Sequence, residues 1–187
     1  KNNPPLRDAI EFYKHDQNWS NRIIAGDSLL IMNSLLEKES MGGDIQMIYI
    51  DPPYNTGHDF IYKDNFSNSL ESYLEQTGQS KTGIKQTTLA ETSGRFHSDW
   101  ISFMYPRLFL ARDLLKEDGI IFVSIDHGEI HNLRNIMNEI FGEDNFITDI
   151  IWQKKYSRQN DATYFSDNHE YVLCFAKNKS HCKINLL

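Results

Sequence analysis

The chain has 187 residues, 40% hydrophobic and 24% charged, which is a globular composition at about one domain's length and not a disordered one. Its 19 Lys and Arg against 26 Asp and Glu give a net charge of −7, which excludes a uniformly basic nucleic-acid-binding domain. Its apolar runs fall far short of the ~20 residues that cross a bilayer, and no signal-peptide pattern opens the chain.

Residues 1–20, with Pro4 and Pro5, read as an irregular lead-in with one helical turn. Arg22–Ala25 is a short β-like run closed by Gly26-Asp27-Ser28. Leu29, Ile31, Met32, Leu35 and Leu36 then recur at helical spacing, predicting a helix over 28–39 with Asp27 or Ser28 as N-cap. Gly42-Gly43 stops it. Ile45–Ile50 is a buried-strand candidate that runs straight into Asp51-Pro52-Pro53-Tyr54. The stretch 64–95 turns rich in Ser, Thr, Gln and Gly and is expected to be a long, mobile loop. From Asp99 the apolar spacing predicts a strong helix ended by Asp118-Gly119, with Pro106 implying a kink or a break into two. Strands are predicted over 120–125, 146–152 and 171–176, with a helix over 131–141. Apolar strands alternating with helices predict an α/β fold, a mostly parallel sheet with helices on both faces.

The two cysteines, Cys174 and Cys182, make neither a disulfide framework nor a zinc site, in keeping with a reducing, cytoplasmic setting. His127 and His131 are four apart, but position 128 is Gly rather than Glu, so no metal is expected. The chain starts at Lys1 without an initiator Met and ends soon after a strand-like run, so it reads as part of a longer one.

In open α/β sheets, ligands bind beyond the carboxyl ends of the strands, where Asp51–Tyr54 falls. Two prolines donate no backbone hydrogen bond and hold a rigid turn. The turn thus presents one carboxylate, carbonyl acceptors and one aromatic ring, a set suited to a planar ring bearing an NH₂ group. A rigid Pro-Pro turn with no chemistry is the plain alternative.

The run Asp51-Pro52-Pro53-Tyr54 resembles the catalytic motif of amino-methylating DNA methyltransferases, and its DPPY form resembles the adenine-N6 enzymes. Its extension through Asn55, Thr56 and Gly57, with Phe60, Tyr62 and Phe66 following, is similar to β-group enzymes, above all the modification subunits of type III restriction–modification systems. Arg22–Leu29, Gly94–Trp100, Tyr105–Leu108, Gly119–Asp126 and His169–Lys177 resemble other segments of that family in order. The resemblance implies a partial Rossmann-like fold dependent on S-adenosylmethionine, with all 187 residues belonging to one catalytic domain. It implies methyl transfer to N6 of an adenine flipped out of double-stranded DNA. It also implies a homodimer, a restriction subunit as partner, and catalytic roles for Asp51, Pro52, Pro53 and Tyr54.

Asp27 and Asn55 are the candidates for the cofactor, although Asp27 serves equally as a helix cap. Asp126 is read as a cap too. His169, Lys154, Lys155 and Arg158 are candidates for DNA contact. Residues 153–183 hold six basic and three acidic residues, together with Tyr156, Tyr164 and Phe165, and phosphate contacts need such cations. A solvated surface would look the same. The family's Gly-rich cofactor loop is missing, since none of the ten glycines forms a GxG pattern. In the permuted β-group order that loop and the target-recognition region are expected beyond Leu187. The rival readings are an RNA methyltransferase with the same loop and a non-catalytic DNA-binding or assembly module.

Overall fold

Runs rich in Ile, Val and Phe form the sheet, because β-branched and aromatic side chains suit a pleated, buried surface. The computed structural model describes residues 21–56, 94–156 and 167–185. Along these the elements are α1 (Ser28–Glu37), β1 (Ile45–Ile50), α2 (Gly94–Leu114), β2 (Leu115–Ile125), α3 (Ile130–Phe141), a 3-10 turn (Glu143–Asn145), β3 (Phe146–Gln153) and β4 (His169–Ala176).

The strands lie in the order β1-β2-β4-β3. β1 runs parallel to β2, while β4 is antiparallel to both of its neighbours, β2 and β3. The α/β class is as expected, but the parallel majority is not found among the described strands. β4 returns after β3 and slots between two strands that run the same way, which makes two of the three pairings antiparallel.

The core lies between this sheet and the helices. Trp100, Met104, Leu108 and Ala111 recur along one face of α2 at helical spacing and are buried. They meet Ile121, Val123 and Ile125 of β2, Leu173 and Phe175 of β4, and Leu133, Ile136, Met137 and Phe141 of α3. The other face of the sheet carries Met47, Tyr49, Ile150 and Trp152, all exposed. Helices on both faces were expected, but α1 and α3 both pack on α2, so the described residues supply helices to one face only.

Several local expectations are corrected. Arg22–Ala25 forms no strand: Ile23 is fully exposed, and no described strand pairs with the run. α2 begins at Gly94, so Gly94 and Arg95 belong to a helix, whereas the rest of the expected loop lies outside the described residues, as does the lead-in 1–20. α2 passes through Pro106 without breaking into two. Arg107 Nη1 donates to the Phe103 carbonyl at 2.7 Å there, supporting the backbone beside the proline. Asp118-Gly119 does not end the helix, which stops at Leu114, but lies within β2. Ile45 pairs with Leu115 and Met47 with Ile120, so residues 116–119 bulge out of the ladder. A Cβ on Gly119 would come within 2.9 Å of the Lys116 carbonyl oxygen, so the bulge requires glycine. Asp126 does not cap α3. It accepts from the Gly128 amide at 2.9 Å in a tight turn, and Glu129 holds the N-cap position.

Candidate active site

The topology gathers one edge of the sheet. β1 and β2 are parallel, so their carboxyl ends, Asp51 and Asp126, emerge together. β4 runs the other way and brings its start, His169–Tyr171, to the same edge, where Ile125 pairs with Tyr171. β3 ends there too, with Gln153 opposite His169. Asp51–Asn55, Lys154, Lys155 and His169 therefore share one rim.

The Asp51–Asn55 turn is held at successive points by residues far away in sequence. Ser124 Oγ donates to Asp51 Oδ1 at 2.6 Å, fixing the carboxylate on the neighbouring strand. Trp100 Nε1 donates to the Pro53 carbonyl at 2.7 Å. Trp100 is only 1% exposed, so this bond is made in a low-dielectric setting where an unmet carbonyl would be costly. Pro52 is buried, while Asp51 itself faces solvent. Asn55 closes the turn with φ near +57°, a left-handed conformation that asparagine tolerates better than most residues. Tyr54 packs against the core cluster. Burial, aided by the nearby charges of Asp51 and Glu170, pushes its phenol up to about 12 against a partial offset from Ser124. Tyr54 is thus a neutral, fixed ring beside an ionisable carboxylate.

Beneath the turn lies Glu129. Its side chain is 1% exposed. Oε1 accepts from Asn55 Nδ2 at 2.5 Å and faces His97 Nδ1 at 2.7 Å, while Oε2 accepts from Asn132 Nδ2 at 2.7 Å. One carboxylate thus joins the Asp51–Asn55 turn, the first turns of α2 and the start of α3.

The other candidates fall out differently. Asp27 is the N-cap of α1: its Oδ1 accepts from the Leu29 amide at 2.9 Å and from Arg107 Nη2 at 2.7 Å. The cap bond, foremost, with Arg107 adding to it, holds the carboxyl below its ordinary value. Asp27 thus leans on α2 seven residues beyond Trp100, about 10 Å along the helix. Asn55 turns its amide toward Glu129. Lys154 reaches Asp167 at 3.2 Å and Glu170 at 3.7 Å, so its charge is already matched by two carboxylates. Lys155 is exposed at the rim. His169 Nε2 lies 3.0 Å from the Tyr171 hydroxyl, with the rings edge to face. Arg158, Tyr164, Phe165 and the aromatic run after Gly57 lie outside the described residues. Among the described residues no group of three or more His, Cys, Asp and Glu could hold a metal ion. No described helix is long and apolar enough to cross a membrane.

Sequence reading missed Ser124, Trp100, His97 and Glu129. Ser124 carried a signal, being the one polar residue in the strand IIFVSI. Trp100 looked like core and is core, but its indole N–H has a second task that periodicity does not show. Glu129 had no signal beyond being an acid after a strand.

The Asp51–Tyr54 turn, held at the carboxyl end of β1, lies inside the region that this chain shares with known proteins. The family described as DNA methylase, covering the N6 and N4 enzymes, matches residues 45–186. The chain belongs to this family. Within it the likeness is strong to modification subunits. The Mod subunit of the type III restriction-modification enzyme StyLTI from Salmonella typhimurium is 43% identical over 167 residues, covering 87% of this chain and 24% of that protein. The EcoPI Mod subunit from Escherichia phage P1 is 38% identical over 193 residues, covering 98% and 29%. The type II methyltransferase M.KpnI of Klebsiella pneumoniae is 35% identical over 158 residues, covering 84% and 33%. The chain thus spans a quarter to a third of the length of these relatives.

Proposed function

We propose that this chain carries the acceptor half of the active site of a DNA adenine-N6 methyltransferase, the modification subunit of a type III restriction–modification system. The observation that carries the reading is the Asp51–Tyr54 turn, fixed at a strand end by Ser124 and Trp100 without any ligand. Its substrate is double-stranded DNA with the target adenine flipped out of the stack. The relatives, Mod subunits of restriction-modification enzymes, support a restriction subunit as partner; the two free cysteines support a cytoplasmic setting, and the family resemblance supports a homodimer.

The mechanism follows from the groups on the turn. Asp51 and the Pro52 carbonyl each accept one hydrogen of the adenine N6 amine. This draws the nitrogen lone pair out of the ring, and Tyr54 supplies a face for the base. Transfer of the methyl group to N6 would break its bond to the donor sulfur and leave N6 positive until one of its hydrogens departs as a proton, and the preplaced Asp51 carboxylate would stabilise that charge. S-adenosylmethionine, when bound, supplies an electrophilic methyl group. The residues present fit it on its amine and hydroxyl side, since the chain offers acceptors there. Asp27 is half exposed, with both of its described hydrogen bonds on Oδ1. Asp27 and Asn55 would hold it, in concert with a Gly-rich loop that these 187 residues do not contain. The protein's contribution is alignment.

The test uses the full-length protein, labelled methyl donor, duplex DNA and RNA. Wild type is expected to label duplex DNA at adenine N6. Asp51→Ala is expected to lower transfer by about 10²-fold or more while DNA is still bound. Labelling of RNA instead would favour the rival enzyme, and undiminished transfer by Asp51→Ala would overturn the catalytic assignment.

A further inference from the structure

Glu129 is poorly explained as part of its own helix. It occupies the N-cap of α3, where Ser, Thr, Asp and Asn are favoured because their short side chains reach back to the first free amides. Its side chain makes no cap bond. It turns away instead, into a site where it is 1% exposed. Burying a carboxylate is unfavourable unless polar partners surround it, and here three do: Asn55 Nδ2 and Asn132 Nδ2, which donate, and His97 Nδ1, all within 2.7 Å. Two come from outside α3, and one of these, Asn55, directly follows the catalytic tetrapeptide in a left-handed conformation.

The geometry points to Glu129 as a positioning residue for methyl transfer. Ser124 holds the start of the turn and Trp100 its middle, but neither holds its end. Glu129 does so, through Asn55, and the same oxygen ties that end to His97 at the start of α2. The turn is thereby prevented from rocking about the Pro53 anchor. Asp51 and the Pro52 carbonyl then keep the orientation from which they grip the amine, and a small misplacement of reacting groups costs rate out of proportion to its size. Glu129 touches neither donor nor base in this account. It acts through Asn55.

This inference rests on the methyltransferase reading, and the experiment separates the two. In the full-length protein, Glu129→Asp keeps the charge and installs a better N-cap, yet withdraws the carboxylate by one methylene from Asn55. The expected result is a kcat lowered by about tenfold or more, with KM for DNA within about threefold and an unchanged melting temperature. Glu129→Gln retains an acceptor for Asn55 and His97, and Asn132 can flip its amide to match. It is expected to recover most of the lost kcat. Leu133→Ala, in the core of α3 and away from the site, is the structural control: it should lower the melting temperature and leave kcat near wild type. A Glu129→Asp protein as fast as wild type, or one whose lost kcat comes with a fall in melting temperature like that of Leu133→Ala, would overturn the inference. A wild-type protein that transfers no methyl group would overturn the underlying reading instead.

Discussion

Two turns in this molecule carry an aspartate after a short apolar run, and they are held in different ways. The Asp51 turn is tied to β2, α2 and α3 by Ser124, Trp100 and Glu129, three residues that are themselves buried. The Asp27 turn is tied to its own helix by a cap bond two residues long, and to α2 by an ion pair whose carboxylate is half exposed. The first turn is set by tertiary structure and cannot rearrange without opening buried bonds. The second forms with α1, and its ties to α2, from Arg107 to Asp27 Oδ1 and to Ser28 Oγ, are exposed and screened by solvent. A site that must meet its substrate with dipoles already aimed needs the first kind of anchoring.

The largest way to break this contrast is Trp100→Phe. The ring stays in the core, but the Pro53 carbonyl loses its donor in a buried setting. Leaving such an acceptor unmet costs about 1–3 kcal/mol. Urea unfolding should show that loss, and kcat in the full-length protein should fall at the same time, because the turn loses its middle anchor. Loss of stability with unchanged kcat would mean that the turn does not depend on Trp100 for its aim.

Alkaline pH sharpens the contrast further, because it strikes one turn and spares the other. The Tyr54 phenol ordinarily ionises near 10 and is pushed up to about 12 in the fold, by burial first and then by Asp51 and Glu170. The folded state therefore holds the proton more tightly than the unfolded state. Its contribution to stability is complete below pH 10 and is lost as pH rises through 12. The buried Cys174 thiol, raised to about 11, acts in the same direction from about pH 9. Denaturant midpoints should fall over this range. Tyr54→Phe should remove the part between 10 and 12 and leave the Cys174 part. An unchanged alkaline profile in Tyr54→Phe would show that the phenol is not held neutral by its surroundings.

The same contrast decides what could be read from the chain. β2 was legible as an apolar run because burial dictates its composition, and α3 was legible because Leu133, Ile136 and Met137 recur on one face; β1 was legible as an apolar run too, but it is not the buried strand expected, since Met47 and Tyr49 are exposed. The DPPY turn was legible because its residue types stand together in one short run. Its anchors were not. Ser124, Trp100 and Glu129 lie 73, 47 and 74 residues from their partners, and no local pattern encodes such pairings. The antiparallel insertion of β4 was hidden for a similar reason, since strand direction depends on where the chain returns. Arg22–Ala25 failed in the opposite sense. Its residues suit a strand, but a strand also needs a neighbour to pair with. Lys154 looked like a free cation in the sequence and is matched by Asp167 and Glu170 once folded.

The smallest expected effect concerns Asp27, and it is informative because it is small. Asparagine caps a helix about as well as aspartate, whereas alanine does not. Asp27→Ala should therefore cost about 1 kcal/mol, and Asp27→Asn only a few tenths from the weakened, half-exposed pair with Arg107. If the side chain serves α1 alone, Asp27→Asn also leaves KM for the methyl donor unchanged. A raised KM at unchanged stability would place the carboxylate on the donor, since only that role needs its charge. Measuring both variants by urea unfolding and by methyl-transfer kinetics thus separates cap from ligand at Asp27.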